Sequence, residues 1–152
     1  MLKIHEFNKL TDAEAKSLYQ APAMIAVLIA SADSQIDEQE TTWAKKVMSF
    51  RQEVGNELLF DYYEIAESFF VETMTSLLSE EKGTQTRIAN LETALTNLNP
   101  ILAKVDSKFT SELLESWKSF AKQVAKATGG IFGFGGVSAQ EKHLMDLKMI
   151  HS

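Results

Sequence analysis

The run from Ala21 to Ala32 carries no charged side chain over 12 residues, and it limits the chain more than any other feature. A membrane span needs about 20 apolar residues, so the run is too short to cross a bilayer. A surface helix has one apolar stripe, whereas this run is apolar all round and has to be buried on most sides. The rest of the chain must therefore supply amphipathic elements that cover it.

The flanking residues suggest how the run is entered and left. Thr11-Asp12-Ala13-Glu14 spells a capping box, which predicts a first short helix starting there. Pro22 has no N–H and suits a first turn better than a helix interior, so a break and a second helix from about Ala21 to Ala32 are expected. Asp37-Glu38-Gln39-Glu40 is a second box, opening a helix that turns Trp43, Ala44, Val47, Met48 and Phe50 inward.

Covering stripes follow. Leu59, Tyr62, Tyr63, Ala66, Phe70, Met74, Leu77 and Leu78 recur at helical spacing, with Asp61, Glu64, Glu67 and Glu72 largely off the stripe as an acidic outer face. Beyond a connector from Glu80 to Thr84, Ile88, Leu91, Leu95 and Leu98 make a second stripe. Asn99-Pro100 punctuates the chain, because the residue before proline avoids helical geometry. Phe109, Leu113, Trp117, Phe120, Ala121 and Val124 mark a long helix from about Ser107 to Ala127, ended by the glycine-rich segment Gly129 to Gly136. Ser138-Ala139-Gln140-Glu141 is a third box, predicting a last helix through Leu144, Met145, Leu147 and Ile150. No strand-like alternation appears, so the fold class is all-α, with residues 1–152 forming one domain.

Charge and composition narrow the function. Asp33 to Glu80 holds 11 acidic and 3 basic side chains, while the remainder holds 10 acidic and 12 basic. Phosphate binding needs clustered Lys and Arg, so nucleic acid is not expected as a partner. The chain has no cysteine, which removes disulfides and thiolate chemistry and suits a reducing compartment. Met1 to Lys16 is mixed and polar, unlike an export signal, so a cytoplasmic location is expected.

Asp33, Asp37, Glu38 and Glu40 fall around one turn and could direct several carboxylate oxygens at Ca²⁺ or Mg²⁺. The ligand series of a calcium-binding helix–loop–helix is incomplete, with Gln35 third and no twelfth-position glutamate. A purely structural reading serves as well: Asp33 closes a turn, Asp37 caps a helix and Glu40 completes the box. The segment Gly129 to Gly136 matches no phosphate-binding fingerprint and reads as a connector, or as an aromatic patch for a partner if Ile131, Phe132 and Phe134 are exposed. His5, His143 and His151 form no metal-ligand spacing, and no nucleophile motif is present. No enzyme chemistry is singled out.

Val137-Ser138-Ala139-Gln140-Glu141 weakly repeats Ile36-Asp37-Glu38-Gln39-Glu40. The segments AVLIASADSQIDEQE, from Ala26, and AKATGGIFGFGGVSAQEKHLMDL, from Ala125, resemble the tellurite-resistance TerB-like family and the related domains of DnaJ-like membrane co-chaperones. That resemblance implies a compact bundle of about seven helices with two pseudo-repeated helix-turn-helix units, and an association with stress and tellurite resistance. It also implies a divalent-cation site at Asp33, Asp37 and Glu40. The chain has Ser34 where the family's motif has glycine, and Gly129 and Gly130 where an aspartate is frequent. The expected function is a non-enzymatic binding or scaffolding module. The alternative is a protein-interaction domain that recruits a partner through its acidic helix face or its Gly/aromatic loop.

Overall fold

The computed structural model describes residues 2–32, 56–80, 83–130 and 146–151. The described residues are helical, with no strand among them. The helices are α1 (Asp12–Ala32), α2 (Phe60–Ser79), α3 (Thr84–Thr96), α4 (Asn99–Leu102) and α5 (Ser107–Gly130). Single 3-10 turns lie at His5–Phe7 and Glu57–Leu59. No described helix is long and apolar enough to cross a membrane.

The capping box at the start of α1 is formed reciprocally. The Glu14 amide donates to Thr11 Oγ1 at 3.1 Å, and the Thr11 amide donates to Glu14 Oε1 at 2.9 Å. The expected break at Pro22 does not occur, since α1 runs unbroken from Asp12 to Ala32 with the proline inside it. An interior proline normally costs about 3 kcal/mol, partly because the carbonyl four residues earlier loses its donor. Here that carbonyl belongs to Leu18, and the Tyr62 hydroxyl of α2 donates to it at 2.6 Å. The indole Nε1 of Trp117, on α5, donates in turn to Tyr62 Oη at 3.1 Å. A tertiary donor replaces the missing amide, so the helix continues.

The apolar run is buried almost throughout, from Ala21 to Ser31, with Met24 partly covered. The cover comes from α2, α3 and α5, each packed on α1. Their stripes point inward as their spacing requires: Tyr62, Tyr63, Ala66, Phe70 and Met74 from α2, Ile88, Leu91 and Leu95 from α3, and Phe109, Leu113, Trp117 and Phe120 from α5. Phe7 plugs one end, set edge-on to Tyr62 and to Phe109 at centroid distances of 6.1 and 5.7 Å. Tyr63 and Ser116 share a buried hydrogen bond between their hydroxyls.

Two further boundaries differ from expectation. The long helix α5 extends through Gly130, so the glycine segment begins inside its last turn, where glycine's conformational cost is lowest to absorb. Its start is capped by Asp106, whose Oδ2 accepts from the Phe109 amide at 3.1 Å. The helix predicted from Ser138 does not reach Ile150: Asp146 to Met149 form a turn, with Leu147 in the left-handed region at φ 48°. Leu147 and Ile150 are nonetheless buried, as their place in the predicted stripe requires. The Asn99 side chain fixes this segment, donating to the Met149 carbonyl and accepting from the His151 amide, each at 2.9 Å.

Candidate functional site

Asp33, Asp37 and Glu40, the expected cation ligands, lie outside the described residues, as do Glu38, the helix expected after Asp37, the segment from Ile131 to Gly136, and His143. The structure describes α1 up to the residue before Asp33. Ser31, one residue from that end, is 1% exposed, and its Oγ has no hydrogen-bond partner among the described residues. Among the described residues no group of three or more His, Asp or Glu side chains is arranged to hold a metal ion. His5 and His151 are both exposed, and both sit in local polar contacts, His5 Nδ1 with Asn8 Nδ2 at 3.2 Å and His151 beside Asn99.

The acidic outer face of α2 is present as expected. Asp61, Glu64 and Glu72 are exposed, Glu67 is half-buried, and the helix contains no Lys or Arg. Phe60, Glu64, Glu67 and Val71 follow one another at spacings of four, three and four, and so form one ridge. Phe60 is 49% and Val71 50% exposed, so the ridge sets two solvent-facing apolar side chains among carboxylates.

Beside that ridge a groove of about 540 Å³ runs between α2 and the N-terminal segment. Ile65 and Phe69 of α2 and Leu2 and Ile4 of the segment give it apolar surfaces, while Asp61, Glu64 and Ser68 of α2 add polar ones. The segment is held in place by specific bonds. The Ile4 amide donates to Tyr19 Oη at 3.0 Å, and Lys3 Nζ donates to the Leu10 carbonyl at 3.1 Å and pairs with Asp12 at 3.2 Å. Phe69 is stacked on Tyr19 at 6.0 Å between centroids, with the Lys16 ammonium 6.0 Å from its ring centre.

The charge of the groove is therefore lopsided. Its lysine is engaged with Asp12 and a carbonyl, whereas the carboxylates of Asp61 and Glu64 have no hydrogen bond or ion pair with described residues. Reading Met1 to Lys16 as mixed and polar conceals this site. A signal was there in Ile4, Phe7 and Leu10, three apart and all buried.

A second cavity, of about 590 Å³, lies between the His5–Phe7 turn and the start of α5. Lys9, Lys104 and Lys108 face it together with Glu6 and Asp106, so neither sign prevails. Lys104 is also committed to Glu14 at 2.6 Å.

The perturbed groups have structural causes. Burial raises the Tyr62 hydroxyl well above the usual tyrosine range and raises Tyr19 as well, Glu6 adding to the latter, so both stay protonated and act as hydrogen-bonding groups. The Glu14 carboxyl is held below its ordinary range, first by Lys104 and then by the Thr11 amide. Comparison of the chain with protein-family models, with curated proteins and with solved structures finds no match.

Proposed function

We propose that this chain is a non-enzymatic, TerB-like helical module of the cytoplasm that recruits a protein partner through the outer face of α2. The observation that carries the reading is the composition of that face: four carboxylates, no basic residue, and Phe60 and Val71 exposed among them. Protein interfaces place an apolar centre within a polar rim, and charge complementarity selects the partner and speeds its approach. The complement is a surface bearing Lys and Arg around an apolar side chain.

In this reading the finer architecture follows the family resemblance, with about seven helices in two pseudo-repeated units and a stress-related, tellurite-linked role. In the same reading Asp33, Asp37 and Glu40 bind a divalent cation weakly, a role carried by their spacing and by the resemblance. The test of the partner face is affinity capture from the native cell with the intact chain and with Glu64→Lys and Val71→Lys variants whose helical circular dichroism is unchanged. A protein retained at low salt by the intact chain and lost by both variants is the expected result. A capture profile identical for all three baits overturns the reading.

A further inference from the structure

We infer that the groove between Leu2–His5 and the first half of α2 is a docking site for a short, extended segment of a partner protein in which Lys or Arg alternates with an apolar residue. The inference rests on the reading of α2 as the contact face and specifies what part of the partner is held, and where.

Three features of the groove select that occupant. The carboxylates of Asp61 and Glu64 lack partners among the described residues and Lys3 is paired with Asp12, so even with the Lys16 ammonium over Phe69 counted against them the balance at the groove is negative. Ile65, Phe69 and Ile4 supply an apolar surface, and Leu2 stands 73% exposed beside it, a large apolar side chain with little of its area covered. From Asp61 to Phe69 the groove follows α2 for about 12 Å at 1.5 Å per residue. About four residues of extended chain cover that length at 3.3 Å each.

Alternation is the matching pattern. Successive side chains of an extended chain point to opposite sides, so every second residue can meet the apolar surface while those between reach the carboxylates. Ile4, which forms part of the opposite wall, is itself extended, at φ −67° and ψ 160°. Its amide is already committed to Tyr19, so recognition depends on side chains more than on added backbone pairing.

The test uses the full chain, isotope-labelled, titrated with a short capped peptide of alternating Leu and Lys, with the same peptide carrying Glu for Lys, and with spermidine. The Lys peptide is expected to shift the amide signals of residues 2–5 and 61–69, and the Glu peptide to leave them in place. Leu2→Ser, at a site too exposed to affect folding, and the pair Asp61→Asn with Glu64→Gln are each expected to weaken binding by roughly tenfold or more. The inference is overturned if these variants bind like the parent, if shifts spread equally to Glu92, Glu112 and Glu115, or if spermidine alone reproduces the pattern, which would make this a small-amine site. Capture of the native partner separates the two levels. Loss with Val71→Lys but not with Leu2→Ser keeps the contact face and removes the groove, and retention in both removes both.

Discussion

The Tyr62 hydroxyl stands 2.6 Å from the carbonyl oxygen of Leu18, the acceptor that an amide at position 22 would have used. Pro22 has no amide, and Tyr62 is fully buried, so the two residues compensate each other across the interface between α1 and α2. Removing the hydroxyl leaves both the Leu18 carbonyl and the Trp117 indole N–H without that partner. Tyr62→Phe is expected to lower unfolding stability by about 1–3 kcal/mol in urea titrations. In a Pro22→Ala background, where the helix can bond to itself, the same substitution should cost at least about 0.5 kcal/mol less. Equal costs in the two backgrounds would disprove the compensation.

The capping box at Thr11 gives a second prediction. Thr11→Ala removes the acceptor for the Glu14 amide and should cost about 1 kcal/mol, with faster hydrogen exchange confined to the first turn of α1.

The same corner responds to acid. The folded-state value of Glu14 lies below its unfolded value, because Lys104 and then the Thr11 amide favour the carboxylate. Its contribution is therefore complete above the unfolded value and is lost as pH falls through the folded one, at the acid end of the carboxylate range. Amide exchange at Glu14 and Ala15 should speed up in that window relative to the centre of α1. Glu14→Gln should flatten the response.

At the acidic turn, millimolar Ca²⁺ or Mg²⁺ is expected to move amide signals between Asp33 and Glu40 in the intact chain. Asp33→Asn should abolish the movement and Asp37→Asn should reduce it, since asparagine removes the carboxylate charge yet keeps an oxygen able to cap a helix. Signals unmoved by either cation would leave only the capping role.

Much of the helical layout was legible because it rests on local rules. The stripes of α2, α3 and α5 fall where the apolar spacing puts them, and Thr11 and Glu14 cap each other as the four-residue pattern requires. The continuity of α1 was not legible, because the group that rescues it lies 44 residues away and only the fold brings Tyr62 to Leu18. The end of the last predicted helix was missed for a related reason. Leu147 and Ile150 are spaced for burial, yet Leu147 itself, at φ 48°, turns the backbone, and apolar spacing alone does not report backbone handedness. The groove was missed because one of its walls comes from a segment whose apolar spacing, at Ile4, Phe7 and Leu10, is too short a run to stand out from the mixed residues around it. The acidic turn itself lies outside the described residues, so Asp33, Asp37 and Glu40 still rest on spacing and resemblance.

The Asn99 clasp sets rules for the tail of the chain that its side chains do not reveal. Asn99 holds the carbonyl of Met149 and the amide of His151 at 2.9 Å and meets the His151 ring only at 3.4 Å, so what it recognises is chiefly main chain. Most replacements of the exposed His151 should pass unnoticed in thermal denaturation, while proline there removes the donor and should free the tail. A stretch that would look freely variable across relatives thus hides one forbidden residue, and the prohibition is written at position 99.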